Sequence, residues 1–327
     1  MATIRKRFGK WQVQIRRHNY PQIIKSFKEK STASKYAREI ELKMDKQQFE
    51  DYSNAAGTTL RDILTRYRDE ITPKKKGAKW ETYKLNLLIR HKISSLSLLH
   101  LNPTALYALK NELSINRKPG TVKHYFSFIN NAWNTAERVW GINLPPKNPI
   151  KYVILDKVYN RRDRILNEEE YKKLLASASA SNLRILNDMI IFAYQTAMRF
   201  GEILKLNRKD VDLNKRLITL RDTKNGEDRT IPISNIAIEI LRKYPFGERY
   251  FIIKRDQFRH YFEQACRRAE INNFRFHDLR ACAITKMFLS GMTVPEVAVI
   301  SGHKTWSQLS RYTRIKPEQL IDKINFK

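Results

Sequence analysis

Between positions 199 and 312 the sequence sets out, in order, six side chains suited to chemistry at a phosphodiester. Arg199 stands in Thr196-Ala-Met-Arg-Phe-Gly-Glu-Ile203, and Lys224 at the tip of an expected hairpin. His277 and Arg280 form His-Asp-Leu-Arg, His303 follows Ser301-Gly, and Tyr312 lies in Arg311-Tyr-Thr-Arg314. A phosphodiester carries a charge that repels nucleophiles, and fixed cations stabilise the charge that a non-bridging oxygen gains in the pentavalent state. Arg199 and Arg280 can each donate two hydrogen bonds to phosphate oxygens, a geometry that lysine does not copy. His277 and Arg280 are spaced i and i+3 on an expected helix, which predicts a shared face and access to one phosphate. A tyrosine hydroxyl titrates near ~10, so at neutral pH it needs a base or cationic surroundings to become a nucleophile. The sequence has no carboxylate cluster of the kind a metal site would use, and neither a metal nor a cofactor is expected.

Taken one at a time these residues have ordinary readings. Tyr312 is one of 15 tyrosines, and a single helical tyrosine is usually core or surface. A lysine at a hairpin tip is usually solvated, His303 after Gly302 could cap a turn, and Arg199 could be a structural ion pair with Glu202. His277-Asp278 suggests a metal phosphohydrolase, but the second histidine motif and distal aspartate of such a site are not evident. The ordered set, rather than any member, carries the signal.

The elements that must position the set divide a chain of 327 residues whose formal net charge is +30. That length predicts roughly two domains, or three small ones, at ~100–200 residues each. Self-repulsion on this scale is relieved by a polyanion, of which nucleic acid is the commonest. An anionic membrane surface fits less well, because the basic residues are spread along the chain and not gathered on one amphipathic helix. The purely apolar run Met189–Tyr194 is far short of a span, no secretory leader is expected at the N-terminus, and the two cysteines, Cys266 and Cys282, read as reduced core thiols of a cytoplasmic protein.

Residues 1–56 are expected to form a small module of strands and a helix. From Met1 to Lys28 there are eight basic residues and no acid. Trp11-Gln-Val-Gln-Ile15 alternates as a strand, with Ile4–Phe8 and Ile23–Phe27 as partners and a helix from Ser31 to about Phe49. Arg5, Lys6, Arg7, Lys10, Arg16 and Arg17 are its candidate DNA contacts. Residues 57–150 read as helical, with a stripe from Val122 to Trp140 that is core, and with Lys74, Lys75 and Lys76 in a loop where phosphates could be met. A proline-stiffened linker then carries Arg161 and Arg162, further candidate DNA contacts. Residues 151–327 read as a mainly α domain with a small β-hairpin. Asn167 and Glu170 form a candidate capping box, Leu217–Leu220 and Thr230–Ile233 flank the turn signal Asn225-Gly226, and helices are expected at His277–Phe288, Val294–Ser301, Trp306–Arg314 and Pro317–Ile324.

With these residues in hand, the sequence resembles the tyrosine recombinases, the phage-type integrase family, most specifically from about Arg164 to Tyr312. The resemblance implies a multidomain α+β chain: an arm-type DNA-binding module, a helical core-site domain and a catalytic domain. It implies that Tyr312 attacks DNA to form a 3′-phosphotyrosine. Lys224 would then be the general acid for the departing 5′-hydroxyl, His277 the proton acceptor, His303 a phosphate hydrogen-bond donor and Glu202 an acid that orients the site. It further implies double-stranded attachment-site DNA as partner, a homotetramer on that DNA, and accessory DNA-bending proteins. Two other readings stay open: a type IB topoisomerase-like enzyme that relaxes DNA, and a non-catalytic DNA-binding protein with the same fold.

Overall fold

A computed structural model describes residues 2–158, 162, 164–221, 228–310 and 312. The chain divides into two compact units, Met1–Asn160 and Arg161–Lys327.

The first unit opens with an antiparallel sheet of β1 (Ala2–Arg7), β2 (Lys10–Ile15) and β3 (Ile23–Phe27) in that order. Helix α1 (Lys30–Asp45) covers one face, where Val13 and Ile15 meet Ala33, Ala37 and Met44. Strand alternation places Thr3, Arg5, Arg7, Lys10, Gln12 and Gln14 on the opposite face, and the register sets Arg5 beside Gln12 and Arg7 beside Lys10. The rest of this unit is helical: α2 (Ser53–Gly57), α3 (Leu60–Glu70), α4 (Ala78–Arg90), α5 (Pro103–Ile115) and α6 (Pro119–Arg138). A second cluster forms here because α6 buries Val122, Tyr125, Phe126, Ile129 and Trp133 along one side, against Leu64 and Leu85 of α3 and α4.

The second unit contains α7 (Glu168–Ser179), α8 (Ile185–Thr196) and α9 (Phe200–Lys205), then β4 (Val211–Asp212), β5 (Leu217–Leu220) and β6 (Arg229–Pro232). It continues with α10 (Asn235–Arg242), α11 (Arg255–Arg268), α12 (Asp278–Leu289), α13 (Val294–Ser301) and α14 (Trp306–Leu309). The capping box that opens α7 is present in both directions: the Glu170 amide donates to Asn167 at 2.7 Å and the Asn167 amide to Glu170 at 3.1 Å. Helix α8 is apolar on most sides and is the buried axis of the unit, packed on α7, α10 and α12. β5 and β6 pair antiparallel with Leu220 opposite Arg229, and β4 adds a short third strand. Both cysteines are free and buried.

The expected helix Trp306–Arg314 is shorter than its sequence suggests. α14 ends at Leu309, and the Tyr312 amide donates to the Leu309 carbonyl at 2.8 Å, a three-residue turn closure that replaces the α-helical pattern. Lys224, Arg161, the turn Asn225-Gly226 and the expected helix Pro317–Ile324 lie outside the described residues.

Candidate active site

Three chain reversals in the second unit position Arg199, Arg280 and His303. Helix α8 ends at Ala197, whose φ of +52° is left-handed; this turns the chain so that Arg199 becomes the N-cap of α9. The Arg199 amide and its Nη1 both donate to Glu202, each at 2.9 Å. The ion pair that sequence spacing allowed therefore exists, and it leaves the other guanidinium nitrogens of Arg199 at a partly exposed position. Glu202 also receives both terminal nitrogens of Arg229, at 3.1 and 2.8 Å. Burial opposes charge on Glu202, but Arg229 and the Arg199 backbone and side chain together hold its carboxyl below the usual range.

The second reversal precedes α12. His277 is the N-cap residue and is exposed, while Arg280 in the first turn points inward and is only 3% exposed. The expected common face is thus a common helix end: the Arg280 amide donates to the His277 carbonyl at 3.2 Å, but the two side chains take different depths. Arg280 donates through Nη1 to the Ala197 carbonyl at 2.6 Å and through Nη2 to the Ser301 carbonyl. Burial, then the neighbouring Arg199 and Arg229 cations, lowers Arg280 to about 10, still fully charged at neutral pH; Glu202 and Tyr312 act in the opposite sense. Arg199, Arg229, Glu202 and Tyr312 thus all bear on the charge of one guanidinium.

The third reversal ends α13 at Gly302, with φ +69°. His303 follows, with Nδ1 2.8 Å from the Ser301 hydroxyl. In the tautomer where Ser301 donates, Nε2 carries the proton and is the donor a phosphate oxygen would need. The His303 and Tyr312 rings lie 5.8 Å apart at 47°, and Tyr312 packs on the cluster of Ala197, Ala283, Ile284, Phe288, Val297 and Leu309. A cleft of about 600 Å³ opens beside Arg199 and His277, with Arg255, Arg259 and Arg275 on its walls and phenylalanines beneath. Among the described residues no group of acidic, histidine or cysteine side chains could hold a metal ion.

The candidate DNA contacts fall into two sets. Arg5, Lys6, Arg7, Lys10, Arg16, Lys74 and Lys76 are exposed. Arg17, Lys75 and Arg162 are engaged internally. Arg17 pairs with Asp45, Lys75 with Glu81 at 2.5 Å and with the Tyr67 hydroxyl at 2.7 Å. Arg162 gives its Nε and Nη2 to Asp278, at 3.1 and 2.7 Å, and bonds Asn273 besides. Arg162 therefore anchors the turn ahead of His277, and Asp278 is occupied by this arginine and by the Arg275 amide at 2.9 Å. Sequence reading missed Arg229 and the internal role of Arg162, since both depend on carboxylates distant in the chain.

One buried arginine, two further arginines on its carboxylate neighbour, and a histidine and a tyrosine in the same unit make a cation-rich setting suited to stabilising charge on a phosphate. The model of the phage integrase family matches residues 164–319. A shufflon-specific DNA recombinase of Escherichia coli is 31% identical over 280 residues, covering 82% of this chain and 72% of its own. A putative integrase/recombinase of Haemophilus influenzae is 32% identical over 267 residues, covering 77% of this chain and 85% of its own. Among solved structures, lambda integrase as a dimer bound to a COC′ core site superimposes with a TM-score of 0.65 at 19% identity, over 95% of this chain and 93% of that one. Lambda integrase as a tetramer bound to a Holliday junction gives 0.65 at 18% identity, over 93% and 92%. The chain belongs to the phage integrase family and is a tyrosine recombinase. Helices long and apolar enough to cross a membrane are absent among the described residues.

Proposed function

We propose that this recombinase cuts and rejoins DNA at specific attachment sites through a 3′-phosphotyrosine on Tyr312, integrating and excising a mobile element. The observation that carries the reading is Arg280: one buried cation bonded to the carbonyls of Ala197 and Ser301 ties together the turns that present Arg199 and His303. In this reading Arg199, Arg280 and His303 hold the scissile phosphate and stabilise the charge on its non-bridging oxygens. The Tyr312 oxygen attacks phosphorus and gives its proton to His277. The bond to the 5′-oxygen breaks, and Lys224 protonates that oxygen. A 5′-hydroxyl from a second duplex then attacks the phosphotyrosine and releases Tyr312, which conserves the phosphodiester count without an external energy source.

The two clusters of the first unit serve as separate DNA-binding cores in this account. The sheet face bearing Arg5, Arg7 and Lys10 engages arm-type sites, and the helical part grips the core site. Recombining two duplexes needs four strand cuts, hence four protomers with one site each, as in the lambda integrase tetramer. Accessory DNA-bending proteins would bring arm and core sites within reach of one protomer, and the protein would work in the cytoplasm on nucleoid DNA. The test is a two-site assay on a supercoiled plasmid carrying candidate attachment sequences. Deletion or inversion between the sites is expected. Relaxation without exchange would make the protein a topoisomerase, and binding without either product would make it a non-catalytic reader of DNA.

A further inference from the structure

Arg229 belongs to no part of the chemistry described so far, yet it touches two of the segments that carry it, those of Glu202 and Gly302. It opens β6. Its guanidinium lies flat against Glu202, in a bidentate pair whose side chains are only 13% and 11% exposed. Glu202 accepts four hydrogen bonds, two from Arg229 and two from Arg199, which uses the acceptor capacity of a carboxylate. On its other side Arg229 is pressed against Gly302, where a Cβ would sit 2.9 Å from its Cδ and Nε. Its Nε is buried and has no hydrogen-bond partner among the described residues. An arginine that leaves one donor unbonded in order to lie between Glu202 and Gly302 is placed there by the geometry of the site.

The charges explain why that placement matters. Glu202 is needed to orient Arg199, but an uncompensated carboxylate 2.9 Å from Arg199 would cancel much of the cation's attraction for a phosphate. Arg229 supplies a second cation to the same carboxylate, so Arg199 keeps its charge for the substrate. We infer that Arg229 is a positioning residue of the recombination chemistry, which neutralises Glu202 so that Arg199 can act fully on the scissile phosphate. The inference rests on the proposed role of Arg199 as a phosphate ligand.

Single-turnover cleavage of a nicked suicide duplex by the full-length protein tests it, with duplex affinity and thermal melting followed for each variant. Arg229→Met should cleave about 100-fold more slowly than the parent while binding the duplex within about twofold, because the affected charge acts on the transition state. Adding Glu202→Gln to Arg229→Met should restore about tenfold, since the unbalanced carboxylate is then gone. Arg229→Lys keeps the charge and should stay within about tenfold of the parent. A double variant no faster than Arg229→Met, with both folded, would reduce Arg229 to a structural clamp and overturn the inference. Should Arg229→Met not fold, Arg229→Lys decides: loss of more than about 100-fold in that folded variant would also overturn it. Arg199→Lys run in parallel separates the underlying reading, because parental cleavage by that variant would remove Arg199 from the phosphate and leave the Arg229 result without its premise.

Discussion

Nη1 of Arg280 donates to the carbonyl oxygen of Ala197 at 2.6 Å. Ala197 is fully buried and left-handed, a conformation uncommon for a residue with a Cβ. The bond holds the turn that aims Arg199, while the second Arg280 bond holds the segment ahead of His303. Fold and chemistry are joined in this side chain: the cation proposed to meet the phosphate also closes the frame around it.

Substitutions of Arg280 should therefore show two separate defects, the first of them in Arg280→Met. Two buried carbonyls lose their donor, which should cost about 2–4 kcal/mol of stability in denaturant unfolding. Arg280→Lys keeps charge but not the fork, and its single-turnover cleavage should fall by about 100-fold or more. Parental stability and rate in both variants would make the two carbonyl bonds incidental.

Lys224 is tested by chemistry at the leaving group. Replacing the departing 5′-oxygen by sulfur gives a leaving group that needs little protonation. Lys224→Ala should be slow on the oxygen substrate and recover on the sulfur one. Equal defects on both would move the acid elsewhere, with His303 the first alternative.

Glu202 sets an acid limit on the second unit. Its carboxyl is held below its ordinary 4.5 in the folded state, so the ionised form contributes stability that is fully present above about 4.5 and is lost as pH falls through the lower folded value. Glu202→Gln should flatten the decline in melting temperature between about pH 6 and pH 3. Parallel decline in parent and variant would show that the contribution is negligible.

Deleting residues 1–50 removes thirteen basic and five acidic residues, a loss of 13 − 5 = +8 in formal charge. Core-site cleavage should survive. Regulated integration should be lost, and the salt dependence of binding to long DNA should flatten by about 0.9 per phosphate contact removed. Unchanged integration by the truncated protein would leave the basic sheet face with only a nonspecific role.

Much of this was legible in sequence because it depends on local patterns. The alternation of Trp11, Val13 and Ile15, the α6 stripe and the Asn167–Glu170 capping box each follow from spacing within one element. The order of Arg199, His277, Arg280, His303 and Tyr312 marks a candidate site in the sequence alone. What was not legible depends on distance in the chain. Nothing near Arg162 announces Asp278, and nothing near Arg229 announces Glu202, because an ion pair has no period. The early end of α14 was hidden for a related reason: Trp306 to Arg314 lacks glycine or proline, and the chain leaves the helix through a tighter turn at Tyr312 rather than at a breaker. Ala197 also lacks the glycine that usually marks a left-handed helix end, and its conformation is held by the turn and by Arg280.

In the proposed mechanism Tyr312 becomes covalently joined to DNA, and that adduct can be trapped. The protein is incubated with a nicked duplex core site, denatured, digested and mapped by mass spectrometry, alongside Tyr312→Phe. A 3′-phosphoryl adduct is expected on the peptide that carries Tyr312, and none in Tyr312→Phe at unchanged duplex affinity. An adduct on another residue, or one that persists in Tyr312→Phe, would contradict it.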